Sequence, residues 1–130
     1  MTTYNGAAVW NSYVPEQIKD ITEWHYARNL INGSTDKDQF AKLIQEAGEL
    51  SDNICKGKDI ADDIGDMIVV LINIAERNGL SIEECLAQSW DDIKDRKGKM
   101  LDGVFIKEPV KLRGVAAGPV RVYPNTDCYE

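Results

Sequence analysis

Two pairs of acidic residues stand at the same three-residue spacing near the middle of the chain. Glu46 and Glu49 form the first pair, and Asp63 and Asp66 form the second. Residues three apart share one face of a helix, so each pair predicts two carboxylates side by side. Carboxylate oxygens are the ligands that Mg²⁺ and Mn²⁺ prefer in proteins. The chemistry that this pattern favours is therefore the binding of a hard divalent cation.

The apolar pattern around the two pairs predicts the helices that must carry them. An apolar stripe follows Asp36 and predicts a helix, which Gly57 ends as a left-handed cap. Asp59 is placed to cap a second helix, which runs to Gly79. Two helices joined by so short a segment are expected to pack antiparallel. With residue 56 as the midpoint of this hairpin, Glu46 lies opposite Asp66 and Glu49 lies opposite Asp63, so the two acidic pairs fall at matching levels on facing helices.

The second of these helices is apolar almost all round, which predicts that it is mostly buried. Carboxylates brought together on such a helix repel one another and take up protons unless a cation is present. The alternative interpretation is a solvated acidic stripe with ordinary ion pairs, such as Lys42 with Glu46. Because two motifs occur in mirrored register, one of them on a helix predicted to be buried, we favour the metal site.

The rest of the chain predicts two more helices and an extension. Pro15 suits the first turn of the first helix, and a capping pattern of Ser81 and Glu84 begins a fourth helix that runs to Met100. After Gly103 the chain is rich in Val, Gly and Pro, which predicts an extended arm or a small hairpin. The predicted fold is all-α, with four to five helices in residues 1–103 and a C-terminal extension in residues 104–130.

Composition limits the classes of partner. The chain has 130 residues, of which 43% are hydrophobic and 28% are charged, as expected of one compact domain with its own core. A net charge of -7 argues against nucleic acid or an anionic membrane as partner. The first residues lack the basic and apolar segments of a signal peptide, and no apolar run is long enough to span a bilayer. We expect a cytoplasmic protein whose three cysteines are reduced.

Three segments resemble a known family. They read KLIQEAGELSDNI, DDIGDMIVVLINIAERNGLSIEECL and WDDIKDRKGKMLDGVFIK, and they lie within residues 20–107. They resemble the MazG-like all-α nucleoside triphosphate pyrophosphohydrolases, especially the short single-domain versions found in phages. The family motif is E-x-x-E followed on the next helix by E/D-x-x-D. Glu46 with Glu49, and Asp63 with Asp66, match that motif.

The resemblance implies hydrolysis of a (deoxy)nucleoside triphosphate to the monophosphate and pyrophosphate with Mg²⁺, for which Mn²⁺ is a possible substitute. The four acids would hold the metal. Glu46 or Glu49 would orient or deprotonate the attacking water. A bound cation would also explain how an acidic protein binds a polyanion.

The resemblance also implies contacts to the rest of the nucleotide. Lys94, Arg96 and Lys97 would meet the phosphate tail, and the alternative is a solvated helix end where cations are favoured by the dipole. Trp24 and His25 would stack on or hydrogen-bond the base. The alternative is that Trp24 belongs to the core and that His25 is a satisfied polar group.

The helix that carries Asp63 and Asp66 is the third predicted helix of the chain, and it has more apolar surface than one helical hairpin covers. We therefore expect a homodimer or a dimer of dimers whose helices complete an oligomeric bundle. Two other functions remain open. One is a pyrophosphohydrolase of an alarmone of the ppGpp type. The other is a non-enzymatic helical oligomer whose acids bind a metal ion or a partner.

Overall fold

A computed structural model describes residues 14–109, which form four helices followed by a β-hairpin. The helices are α1 (Val14–Ala27), α2 (Asp36–Cys55), α3 (Ala61–Arg77) and α4 (Ile82–Ile93), and the strands are β1 (Gly98–Leu101) and β2 (Val104–Lys107). The mostly helical architecture agrees with the predicted all-α class. Within the described residues, no helix is both long and apolar enough to cross a membrane.

The chain divides into two compact units, and the boundary between them lies between Asp91 and Asp92. The first unit contains α1, α2, α3 and most of α4, and the second contains the hairpin. The predicted boundary between a helical domain and a C-terminal extension, after residue 103, falls in the turn of this hairpin. The division of the chain at that residue stays a prediction. Residues 110–130 of the predicted arm lie outside the described residues.

Helix α2 begins and ends with the local signals that its sequence predicts. The Thr35 hydroxyl accepts from the backbone N–H of Asp38 at 3.1 Å, and the Asp38 carboxylate accepts from the Thr35 N–H at 3.2 Å. This reciprocal capping box satisfies two N–H groups that a helix start leaves without partners. At the other end Gly57 adopts φ +70°, as a left-handed cap requires.

Helix α3 begins close to the predicted residue. The Asp59 carboxylate accepts from the backbone N–H of Ala61 at 3.1 Å, while Ile60 occupies the N-cap position itself and makes no side-chain bond there. Asp59 therefore supports the helix start from one position before the cap.

Helix α4 ends earlier than predicted from the sequence. A turn closes it at Ile93, and Gly98 already pairs with Lys107 in the hairpin, so the predicted extension to Met100 is wrong. Asp102 and Gly103 both adopt positive φ, 51° and 83°. An Asp-Gly pair with left-handed backbone is the turn that favours a tight hairpin, and this pairing competes with continued helix.

The core is thin, although α3 packs against both α1 and α2. The buried apolar residues among those described are Ile31, Val70, Ile72 and Ala75. Ile64, Ile68 and Leu71 of α3 remain exposed in the single chain. The prediction of a mostly buried third helix therefore holds for one face of α3, while the opposite face carries an uncovered apolar stripe.

A buried polar network ties α3 to the connection between α1 and α2. Asn73 is 0% exposed, and its amide donates to His25 Nδ1 at 3.1 Å and to the Leu30 carbonyl at 3.0 Å. Arg77 donates from Nε to the Asn73 side-chain oxygen at 3.0 Å. The Arg77 guanidinium also reaches the backbone carbonyls of Leu30, Ile31 and Ser34.

His25 completes this network from α1. Its Nε2 lies 2.9 Å from the Val69 carbonyl, while its Nδ1 faces the Asn73 amide. A carbonyl accepts and an amide N–H donates, so the consistent assignment is a neutral imidazole with its proton on Nε2. Every polar side chain of this cluster then has a partner, as buried polar groups require.

We predict that Asn73→Ala lowers the free energy of unfolding by about 2–4 kcal/mol, because it leaves buried groups of His25, Leu30 and Arg77 with fewer partners. The matched control is Asn78→Ala, one turn further along and exposed, which should cost less than about 1 kcal/mol. Urea unfolding of both variants measures the difference. Equal losses in the two variants would contradict a special role of the buried network.

Candidate functional site

The predicted acidic quartet is distributed over the α2–α3 hairpin with unequal exposure. Glu46 is 7% exposed and Asp63 is 8% exposed, whereas Asp66 is half-buried and Glu49 is exposed on α2. Carboxylates are almost never fully buried unless they are paired, so Glu46 and Asp63 are the unusual members. The quartet therefore combines two buried acids with two that solvent reaches.

Asp66 lies in a negative field that comes from both helices. Burial raises the pKa of Asp66 above its ordinary value, and the charges of Asp62, Glu46 and Asp63 raise it further, while Lys42 acts in the opposite direction. Glu46 and Asp66, opposite in the predicted register, thus act on each other across the hairpin. The Glu49 charge is not among those that shift this carboxyl.

We name the four acids of the quartet together with Asp62 the acidic face, although the three-residue motif does not include Asp62. It stands four residues before Asp66, and residues four apart are neighbours on a helix surface. The signal that predicts its participation is therefore the i, i+4 spacing on α3. The three-residue spacing of the motif selects Asp63 and Asp66 and leaves Asp62 out.

Glu46 holds an unpaired oxygen in the protein interior. Lys42 approaches its Oε2 at 3.1 Å, so the ion pair of the alternative interpretation is present. The other oxygen, Oε1, is buried and has no hydrogen-bond partner among the described residues. Leaving a buried polar atom unpaired costs about 1–3 kcal/mol, and more when the group is charged. A hard cation fits such an oxygen, which an ordinary solvated stripe would not contain.

Asp63 is oriented by a neighbour on the facing helix. Asn53 of α2 donates from Nδ2 to Asp63 Oδ2 at 2.8 Å. This bond fixes the carboxylate between α2 and α3, as outer-shell partners do for metal ligands. Asn53 has no place in the acidic motif, and no spacing rule in one sequence singles it out.

The acids share a field, but they do not form a closed cage. Across residues 14–109, no three side chains of Asp, Glu, His or Cys are grouped closely enough to hold a metal ion by themselves. Mg²⁺ keeps several waters and is usually bound by one or two carboxylates together with substrate phosphates. An open acidic face is compatible with that mode, and it fits Zn²⁺ poorly, since structural Zn²⁺ needs four ligands.

An apolar cavity of about 710 Å³ adjoins the acidic face within the first unit. We name it the α1–α3 groove, because α1 and α3 provide most of its walls and the beginning of α4 provides the rest. Its lining includes three carboxylates, those of Asp20, Asp62 and Asp66, and no cation among the described residues. The groove therefore joins apolar walls to Asp66, the carboxyl whose pKa is raised.

The predicted phosphate-binding residues lie in the second unit, beyond the end of α4. Lys94, Arg96 and Lys97 occupy the connection to β1 and not a helix end. Arg96 donates to the Asp92 carboxylate at 2.6 Å. Their role toward phosphate stays a prediction.

The predicted base-binding pair is divided by burial. His25 is buried and both of its ring nitrogens are engaged in the core, so the structure gives it the role of a satisfied polar group. Trp24 remains partly exposed, with the Arg28 guanidinium 4.8 Å from its ring centroid. Of the two, Trp24 alone keeps surface for a ligand, and base binding by it stays a prediction.

We predict that Asp66→Asn stabilises the metal-free protein at pH 7. The folded-state pKa of Asp66 is raised above its ordinary 3.8, so folding favours the protonated form and stability falls as the pH rises from 3.8 through the raised pKa. Asparagine removes this loss and should raise the melting temperature by a few degrees, as expected of about 1 kcal/mol in a domain of this length.

At about pH 3 the carboxyl is protonated in both states, and the advantage of asparagine should vanish. Thermal unfolding in EDTA at both pH values measures this. Asp52→Asn, on an exposed part of α2, is the control and should change little at either pH. An Asp66→Asn protein that melts lower than the wild type at pH 7 would contradict the electrostatic description.

Comparison with known proteins assigns the sequence to a family. The model of the MazG nucleotide pyrophosphohydrolase domain matches residues 34–101, just over half of the chain, and this range contains all four acids. An uncharacterized 18.2 kDa protein from the rep-hol intergenic region of Haemophilus phage HP1 (strain HP1c1) is 44% identical over 63 residues. That match covers 47% of this chain and 39% of the phage protein. No solved structure matches the chain significantly. The extent of the family match confirms the resemblance, and the chain belongs to the MazG nucleotide pyrophosphohydrolase domain family.

Proposed function

We propose that this protein hydrolyses (deoxy)nucleoside triphosphates to the monophosphate and pyrophosphate with Mg²⁺, for which Mn²⁺ can substitute. Family membership supports the reaction class, a nucleotide pyrophosphohydrolase. The observation that carries the metal-dependent part is the buried Glu46 oxygen, which has no partner among the described residues, together with an Asp66 carboxyl whose pKa is raised by burial and by neighbouring carboxylates. Enzymes of this family generally depend on a divalent metal.

Glu46, Glu49, Asp63 and Asp66 would supply protein ligands to the cation, and water and substrate phosphates would complete its coordination. When bound, it would supply charge stabilisation at a phosphoryl oxygen and a lowered pKa for coordinated water. Asn53 keeps the Asp63 carboxylate in place for this purpose. The repulsion that raises the pKa of Asp66 would be relieved at the same time.

The two glutamates are suited to different tasks. Glu46 is buried and paired with Lys42, so its environment favours a ligand held in a fixed position. Glu49 is exposed, and an exposed carboxylate can accept a proton from water and release it to solvent. We therefore assign water activation to Glu49 and cation binding chiefly to Glu46.

We propose that cations of the second unit serve the phosphate tail and that Trp24 serves the base. Lys97 and Arg96 line a cavity of about 380 Å³ with Lys107, although Asp92, Asp95 and Glu108 line it as well. This mixed charge would limit binding of free anions. A cation on the acidic face would have to contribute most of the attraction for a triphosphate.

We propose that the active form is a homodimer or a dimer of dimers. Only four apolar residues of the described chain are buried, whereas eighteen large apolar side chains are exposed, including the stripe on α3. Monomers rarely expose contiguous apolar surface of this extent. A second copy that covers the α3 stripe would supply the core that the single chain lacks.

The catalytic proposal is tested by Glu49→Gln and Asp66→Asn, assayed for pyrophosphate release with a mixed set of nucleoside triphosphates. We expect each variant to lose about two orders of magnitude or more in turnover, because cation positioning and water activation depend on the same carboxylates. The double variant should lose much less than the product of the two single effects, since the residues act as one unit.

Glu23→Gln, an exposed acid on α1, is the matched control and should keep full activity. Turnover near that of the wild type in both single variants would overturn the catalytic assignment and favour a helical binding module. Release of pyrophosphate from a ppGpp-type alarmone, with none from nucleoside triphosphates, would instead change the substrate class.

Metal binding has a readout that does not require activity. Mg²⁺ or Mn²⁺ should raise the melting temperature of the wild type, by mass action worth about 2.7 kcal/mol at a hundredfold excess over Kd. Glu46→Gln should lose most of this rise, since it removes the buried ligand, while Glu23→Gln should retain it. Melting that is unchanged between millimolar Mg²⁺ and EDTA would contradict the proposed metal site.

A further inference from the structure

The β-hairpin exposes more apolar surface than an isolated ribbon can sustain. All eight residues of β1 and β2 are exposed, and β1 and β2 pair only with each other in the part of the chain that the structure describes. A single two-stranded hairpin is marginally stable in water and normally needs a further strand or a packed surface. We therefore expect the hairpin to pack against another surface.

One face of this hairpin has a defined chemical character. Lys99 pairs with Ile106, and Leu101 pairs with Val104, so these four side chains lie on the same side of the ribbon. We name this set the ribbon face. The opposite face carries Met100 and Phe105, and the Phe105 ring lies across Gly98, where even a Cβ atom would collide with it. The ribbon face thus presents three apolar side chains and one cation.

The α1–α3 groove has the complementary character. Its walls are apolar, with Val14, Ile68 and Leu86 exposed in the single chain, while its edge carries Asp20, Asp62 and Asp66 and, within residues 14–109, no cation. Carboxylates beside apolar walls make this groove a poor site for a wholly apolar partner, because covering it would bury unpaired charge. An occupant that is apolar and cationic satisfies both parts of the groove.

We propose that the ribbon face of one copy of this chain docks in the α1–α3 groove of a second copy. Leu101, Val104 and Ile106 would pack on the apolar walls, and Lys99 would pair with Asp20 and Asp62 at the edge. Every copy carries both surfaces, so a reciprocal exchange covers two ribbons and two grooves around one two-fold axis.

Charge favours the ribbon over another helical surface as the occupant. Residues 14–91 contain sixteen acidic and seven basic side chains, so docking one helical unit into the groove of another brings like charges together. The ribbon, residues 98–107, contains two lysines and one aspartate. It is the described apolar surface whose charge opposes that of the groove.

This contact would also place a residue of the second copy beside the acidic site. Asp66 belongs to both the groove edge and the acidic quartet, so Lys99 from the partner copy would stand next to the carboxylates. The inference does not depend on the proposed reaction, because assembly is measured without nucleotide or metal.

The first test compares the two sides of the ribbon by sedimentation velocity on the full chain. Val104→Lys changes the ribbon face at a residue that is 59% exposed, and Met100→Lys changes the other face at one that is 64% exposed. We expect Val104→Lys to raise the dissociation constant of the assembly by at least about tenfold and Met100→Lys to leave it within about twofold. Equal effects of the two variants, or a wild type that is monomeric at micromolar concentration, would overturn the proposal.

The second test distinguishes contact between copies from contact within one chain. Leu86→Lys, at a groove residue that is 63% exposed, should weaken assembly as Val104→Lys does. A mixture of the two variants should form mixed dimers, because one chain retains its groove and the other retains its ribbon. Fluorescently labelled Val104→Lys, followed in sedimentation as unlabelled Leu86→Lys is added, measures this. Loss of melting temperature without any change of mass, and no recovery on mixing, would show docking within one chain and overturn the proposal.

A charge exchange gives the third test. Lys99→Glu and Asp20→Lys should each weaken assembly, and the chain that carries both should recover at least part of the loss. Strictly additive losses would contradict the pairing of Lys99 with the groove edge.

Discussion

The polar network around Asn73 is the interaction on which the rest of the helical unit depends. It joins α3 to α1 through His25 and to the α1–α2 connection through Arg77, whose guanidinium reaches three backbone carbonyls. With only four buried apolar residues in the described chain, directional bonds have to fix the helix positions that a larger core would fix by packing. The positions of α1 and α2 on α3, and hence the acidic face, follow from this network.

Buried polar groups of the α2–α3 hairpin are satisfied to different degrees. Asn73 and Arg77 have partners and Asp63 accepts from Asn53, whereas Oε1 of the buried Glu46 has no partner among the described residues. Natural proteins usually satisfy buried polar atoms, and exceptions concentrate at functional sites. The unpaired Glu46 oxygen therefore distinguishes the acidic end of the hairpin from the satisfied network around Asn73.

Local signals in the sequence predicted much of this arrangement. The Asp36 helix start and the Gly57 cap depend on residues close together in the chain, and spacing rules describe such features well. The role of His25 depends on Asn73, 48 residues away, so no local pattern reveals it. The predicted end of α4 at Met100 is wrong because pairing of β1 with β2 and the Asp102–Gly103 turn, which lie beyond the helix, favour a strand. The exposed apolar face of α3 agrees with the expectation that this helix has more apolar surface than one hairpin covers, but an apolar helix does not show which chain covers it.

The start of α3 has a consequence for the charge of the acidic face. Asp62 and Asp63 lie in the first turn of α3, whose N-cap residue Ile60 makes no side-chain bond. The N–H groups that a helix start leaves unpaired, together with the helix macrodipole, place partial positive charge beside these two carboxylates. This backbone charge offsets part of the mutual repulsion between the acids. The macrodipole weakens beyond the first turn of α3, and Asp66 lies beyond that turn. Compensation by the helix end is therefore strongest at Asp62 and Asp63 and weakest at Asp66, which is one of the carboxylates that line the groove.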